Sequence, residues 1–275
     1  DKLKGKKLGL IHLDAPFGKE PIPVLESLAK KYGFELKLYP VPAADMQNQS
    51  SLWLGIRRDR PDFIYNQGWG AMNPTAVKEA IRNNFPIGKM VGVWWAGGDD
   101  DARAGGDQAK GYKSLSWTQS GTQAPALQDI VKYVVDKGKS TTPKDKVGEA
   151  LYNRGVYNSM LVVEGIRNAQ KITGKKVITA EDMRRGLESL NLTEAKLKEI
   201  GFGGFVTPTT ITCTDHSGHS KMFIQEWDGK KWVKNSDWTA PLEDEVKPLV
   251  DANAKDYVEK AGNWPKRTEP CEKSS

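Results

Sequence analysis

Histidine is scarce in this chain of 275 residues, with His12, His216 and His219 as the whole supply. General acid–base catalysis draws on histidine more than on any other side chain. The motifs that would frame such chemistry are missing too. There is no Gly-x-Ser-x-Gly elbow, no His-Glu-x-x-His helix and no phosphate loop closing on Gly-Lys-Ser/Thr. The glycines of Gly201-Phe202-Gly203-Gly204 lack the spacing of a dinucleotide fingerprint. No cofactor is expected. Asp215-His216-Ser217-Gly218-His219 holds metal-ligand residue types, but its spacing matches no familiar set and reads as a polar turn. Asp99-Asp100-Asp101 has the oxygens for a hard cation, yet three acids opening a helix also suit its dipole, and that capping role is preferred.

Cysteine is rarer still, with Cys213 and Cys271 only. One widely spaced pair excludes a zinc ribbon and a redox Cys-x-x-Cys motif. It suits a single disulfide pinning the C-terminal tail in a protein exported to an oxidising compartment, with two unrelated thiols as the alternative. No run approaches the roughly 18 apolar residues of a membrane helix, so no membrane span is expected. Residue 1 opens on the polar Asp1-Lys2-Leu3-Lys4-Gly5-Lys6-Lys7, so no signal peptide is expected, and a mature exported protein would look the same. The formal charge of +6 comes from 41 basic and 35 acidic residues. The lysines alternate with acids, as in Glu194-Ala195-Lys196-Leu197-Lys198-Glu199, which makes solvated helix faces rather than a nucleic-acid patch.

What is present is α/β patterning over a length that suits two lobes of roughly 100–150 residues each. The stretch around which the rest is organised is Asp62-Phe63-Ile64-Tyr65-Asn66-Gln67-Gly68-Trp69-Gly70. A short apolar strand runs into a Gly-Trp-Gly turn, and Asn73-Pro74 opens an amphipathic helix, which is half of a βαβ unit. Ligands of open α/β sheets sit outside the carboxyl ends of the strands, so Trp69 between Gly68 and Gly70 is a candidate contact residue. Its alternative role is a lid folded on the helix.

Around that stretch the spacing predicts strands at 7–13, 34–39, 90–94 and 112–117, with Pro40 and Pro42 closing the second. Asp14-Ala15-Pro16-Phe17-Gly18 reads as a turn. Helices are predicted from Ile22 to a Gly33 C-cap, and around Leu52, Leu54 and Ile56 to Asp59. After residue 120 the pattern turns helical, over 126–135, over 147–172, from Thr179 with a capping box, and from Thr193. No comparable strand lies between residues 120 and 205, so these helices have no sheet of their own to cover. Strands return at 209–213 and 222–227, the latter pairing with Trp232-Val233 across Asp228-Gly229. A helix over 243–260 and a tail follow.

In segment order and local residues the chain resembles extracytoplasmic solute-binding proteins of the branched-chain amino-acid ABC-transporter class, with the type I two-lobed periplasmic fold. Gly9-Leu10-Ile11-His12-Leu13-Asp14-Ala15-Pro16-Phe17-Gly18 carries the resemblance, with Pro61-Asp62-Phe63-Ile64-Tyr65 and Gly68-Trp69-Gly70. Ala104-Gly105-Gly106-Asp107-Gln108-Ala109-Lys110-Gly111 and Cys213-Thr214-Asp215-His216-Ser217-Gly218 extend it over nearly the whole chain.

The resemblance implies an α/β fold in which a parallel-sheet lobe flanked by helices is joined to a second, incomplete lobe. Residues 1–119 and 209–240 would be ligand-binding lobe two, 120–208 the helical C-terminal half of lobe one, and 241–275 a terminal helix and tail. The first half of lobe one has no counterpart here. The implied function is periplasmic capture of a small-molecule ligand by hinge closure and delivery to a membrane permease, without catalysis. Phe17 matches the aromatic of the first lobe-two turn, beside Gly18, and Trp69 matches a ligand-contacting aromatic. Trp94 or Trp95 stands where amino-acid binders present an acid, a departure from their pattern. Together these aromatics would form a wall for a bulky or aromatic carboxylate, an amide or a branched-chain amino-acid-like solute, or for a cation. A buried strand end is the other reading of Trp94. His216 and Asp215, near the last crossing, would add a polar contact. Two alternatives stay open: a ligand-sensing ectodomain of the same fold, and an α/β enzyme.

Overall fold

The computed structural model describes residues 2–265 and 271. The chain forms two compact units, one of residues 1–116, 223–237 and 242–255, the other of 117–222, 238–241 and 256–275.

The first unit is built on a seven-stranded sheet in the order β2-β1-β3-β4-β5-β8-β9. Its parallel part is β1 (Lys7–Leu13), β2 (Glu35–Val41), β3 (Phe63–Gln67), β4 (Met90–Gly92) and β5 (Lys113–Ser116). The antiparallel hairpin β8 (Phe223–Trp227) and β9 (Trp232–Lys234) completes it, with Asp228-Gly229 in the turn as the sequence predicts. Helices α1 (Pro16–Lys19), α2 (Ile22–Tyr32), α3 (Ser50–Asp59), α4 (Met72–Arg82) and α5 (Asp99–Arg103) connect the parallel strands. Leu10 and Ile11 in β1 are fully buried, because helices cover both faces of a parallel sheet. From α3, Trp53 is buried and donates its indole N–H to Gln49, whose amide in turn donates to the carbonyl of Met72 in α4.

Several boundaries differ from the periodicity. Strand β2 runs through Pro40, which pairs with His12 instead of ending the strand. An edge strand tolerates proline because only one side of it needs donors. Of residues 14–18, expected as a turn, 16–18 fall in the one-turn helix α1, which ends at Lys19. Strand β4 stops at Gly92, and Trp94–Ala96 form a 3₁₀ turn, so Trp94 is not a strand end. In α5 the three acids fill the first turn, and the Asp101 carboxylate accepts from Gly98 N–H at 3.2 Å, the expected capping role.

The second unit is helical: α6 (Pro125–Ile130) continuing as a π turn to Val135, α7 (Ala150–Thr173), α8 (Ala180–Leu187) and α9 (Glu194–Glu199). Thr179 caps α8 in a reciprocal box with Asp182, and Thr193 caps α9. The core joins Leu127, Tyr157, Met160, Leu190, Leu197, Phe202 and Phe205. Its strands are two residues each, β6 (Asn191–Leu192) and β7 (Thr209–Thr210). The strand expected over 209–213 stops after Thr210. On α7, Leu151, Val162 and Val163 stay exposed, the uncovered apolar face that helices without a sheet imply. Cys213 and Cys271 form the expected disulfide. Helix α10 (Glu243–Ala261) follows, and its N-terminal part belongs to the first unit, where Glu245 pairs with Lys31 of α2. No helix among the described residues is long and apolar enough to cross a membrane.

Candidate ligand-binding site

Parallel strands deliver their carboxyl ends to one edge of the sheet, and the connection leaves there on one face or the other. In the order β2-β1-β3-β4-β5 the direction of travel reverses between β1 and β3, which opens a crevice above those two strands. Phe17 follows β1 and Trp69 follows β3. Their rings meet edge to face with centroids 6.1 Å apart. Trp69 also packs against Trp95 at 4.8 Å, and Trp95 against Trp94 at 4.1 Å, so three strand-end turns contribute to one aromatic row. Trp69 remains 44% exposed, with its ring against Phe17 and Trp95.

The backbone around the row leaves no freedom for larger residues. A Cβ on Gly18 would lie 1.9 Å from the Leu13 carbonyl oxygen, and one on Gly68 would lie 2.0 Å from Asn73 Oδ1. Gly70 has open space around it but adopts φ +52°, where a side chain is strained. Gly18 and Gly68 are thus buried spacers rather than surface contacts.

Polar groups cross the switch point below the rings. The Tyr65 hydroxyl donates to Gln67 Oε1 at 2.9 Å, and Gln67 Nε2 donates to the Phe17 carbonyl at 3.3 Å. Burial raises the Tyr65 pKa, so this hydroxyl is a neutral donor at physiological pH. Lys19 pairs with Asp14 at 2.6 Å, and that hydrogen bond holds the Asp14 carboxyl below the usual range. Tyr65 and Gln67 had no functional reading from the sequence. Amides closing an otherwise apolar strand were the available signal.

His216 belongs to the second unit. It is exposed, with Nε2 at 3.4 Å from Glu188 Oε1. Its neighbour Asp215 accepts from the Ser217 hydroxyl and N–H and from His219, contacts that hold its carboxyl down to about 2. The segment is the polar turn that its spacing suggests.

Residues 1–231 match the sequence family described as periplasmic binding protein. The chain belongs to that family. The structure is similar to one described as an ABC transporter permease from the Pseudomonas fluorescens group, with 35% identity and a TM-score of 0.89 over 98% of this chain and 65% of that one. It is also similar to a branched-chain amino-acid ABC transporter protein from Thermus thermophilus with bound valine, at 19% identity and TM-score 0.73, covering 90% of this chain and 63% of that one. A solute-binding protein from R. palustris in complex with benzoate matches at 17% identity and TM-score 0.62, covering 86% and 59%. The last two likenesses show the type I periplasmic binding protein fold alone. This chain spans 65% of the length of the Pseudomonas protein. No curated protein sequence matches it.

Proposed function

We propose that the chain is the solute-capturing part of an extracytoplasmic, periplasmic substrate-binding protein, which hands a small organic ligand to the permease of an ABC transporter. One observation carries the reading: the row Phe17–Trp69–Trp95–Trp94 assembled at the carboxyl ends of β1, β3 and β4, where an open α/β sheet binds its ligands. Family membership supports a binding role without turnover.

The ligand class follows from the row. Faces and edges of indole favour flat or bulky apolar groups, and the Tyr65–Gln67 amide chain beside them is neutral. An aromatic or bulky carboxylate, or the corresponding amide, suits this surface better than an α-amino acid, because no acid stands at Trp94 or Trp95 to meet an ammonium. The R. palustris relative bound to benzoate makes that compound the natural first probe. Phe17, Trp69, Trp94 and Trp95 are the proposed contacts, with Gly18 and Gly68 giving the turns their shape.

Titration of intrinsic tryptophan fluorescence with benzoate, benzamide and valine tests the reading. Saturable change with benzoate or benzamide, abolished in Trp69→Ala, is expected. A flat response to all three in a folded protein would overturn it.

A further inference from the structure

The turn that carries Trp94 and Trp95 is held carbonyl by carbonyl. Val93 O accepts from Ala96 N at 2.8 Å, and Trp94 O from Gly97 N at 3.3 Å. The next three carbonyls are met by side chains from three separate places. Asn73 Nδ2 of α4 donates to Trp95 O at 3.0 Å, the Tyr112 hydroxyl to Ala96 O at 2.9 Å, and Gln225 Nε2 of β8 to Gly97 O at 3.2 Å. All three donors are buried. At the other end, Val93 N–H donates to Asn66 O of β3 at 2.8 Å. Ser114, directly opposite Gln225 in the β5–β8 ladder, places its hydroxyl 3.2 Å from Val93 O, though the same oxygen lies 3.2 Å from Leu115 O.

Gln225 Oε1 is buried and has no hydrogen-bond partner among the described residues. A half-satisfied buried amide costs stability, which the bond from its donor end to Gly97 O offsets in part. Backbone and donors are also fitted to one another. A Cβ on Gly92 would lie 2.4 Å from the Tyr112 hydroxyl oxygen, and one on Gly97 2.3 Å from Ser114 Oγ. Pre-organised aromatics bind without the cost of ordering them.

We propose that Asn73, Tyr112 and Gln225 are positioning residues that fix the Trp94–Trp95 pair, by capturing the carbonyls of Trp95, Ala96 and Gly97, in the orientation that ligand meets. The proposal rests on the aromatic row being the ligand site. Its physical content, a rigid indole pair before ligand arrives, can be read without any ligand.

The test uses the full chain and the variants Gln225→Met and Tyr112→Phe, each alone and combined with Trp94→Phe. Near-UV circular dichroism above the tyrosine band reports the coupled indoles, and the difference from Trp94→Phe isolates the pair. Gln225→Met exchanges one buried unmatched acceptor for another, so melting should shift by only a few degrees. Meanwhile the pair's signal should fall by about half or more, in keeping with a lost geometric constraint. In the Trp94→Phe background the same substitutions should change the signal much less, because only the Trp95–Trp69 contact is left to report. Asn83→Ala removes a comparable side-chain bond to Glu79 O elsewhere in the same unit and should leave the pair's signal intact. Benzoate titrations of the same proteins separate the two claims. If the pair's signal collapses but no protein binds benzoate, positioning stands and the ligand reading fails. If the native protein binds benzoate and both variants keep signal and affinity, positioning is overturned.

Discussion

Phe17 and Trp69 come from turns after different strands, yet their rings meet edge to face with centroids 6.1 Å apart. The contact spans the reversal between β1 and β3, and it is tied beneath by Gln67 donating to the Phe17 carbonyl. Removing either ring should therefore affect ligand more than fold. Trp69→Ala is expected to weaken benzoate binding by about tenfold or more, the usual effect of deleting an aromatic anchor. Its cost to stability should stay below about 1 kcal/mol, since the ring is half exposed. Fluorescence titration and thermal unfolding of one preparation read both quantities.

Two glycine substitutions should act in opposite directions. Gly18→Ala forces a Cβ to within 1.9 Å of a backbone oxygen and should destabilise by about 1–3 kcal/mol, or more if Leu13 cannot shift. Gly55 lies inside α3 with nothing within 4 Å of its would-be Cβ. Gly55→Ala should stabilise by about 0.5–1 kcal/mol through helix propensity. Urea midpoints decide; equal shifts of one sign would contradict the geometry.

The Cys213–Cys271 disulfide joins two residues of the second unit at a sequence separation of 58. Chain entropy alone makes such a cross-link worth about 4 kcal/mol, and measured values are commonly about 2–4. Reduction, or Cys213→Ser, should lower the melting temperature of the helical unit. The near-UV signal of Trp94–Trp95 in the first unit should survive at temperatures where both units remain folded.

Acid should reach Asp182 late. The Thr179 backbone N–H first, then Lys175, holds its carboxyl at about 2. A carboxylate depressed in the folded state adds stability that is fully present above its unfolded value near 3.8 and lost as pH falls through about 2. Asp182→Asn should therefore flatten part of the acid limb between about pH 4 and pH 2. A slope unchanged by the substitution in urea midpoints across that range would contradict the assignment.

Much of the chain was legible because its signals are local. Strand β1, the Gly33 cap, the Thr179 box and the Asp228-Gly229 hairpin each depend on residues a few positions apart, and each forms where periodicity and capping chemistry place it. The absence of sheet-forming sequence between residues 120 and 205 likewise leaves a helical unit with two-residue strands and exposed apolar positions on α7. Composition alone sufficed for the two cysteines to be expected as a pair.

Strand order decided the rest. Nothing local in Phe17, Trp69 or Trp95 says that they touch. They touch because parallel strands place their carboxyl ends at one edge, and because β1 and β3 are neighbours there. Trp94 left the strand for a 3₁₀ turn, and donors from α4, from Tyr112 just before β5 and from β8 hold the following carbonyls. Gln225, far along the chain, joined that turn only when β8 paired with β5. His216 lies in the unit that does not carry the aromatic row. Backbone hydrogen bonding and side-chain spacing are set by sequence neighbours, so the sequence alone determined the elements and the aromatic residues they carry. Which elements stand side by side depends on burying the whole sheet at once, and only that packing assembled the site.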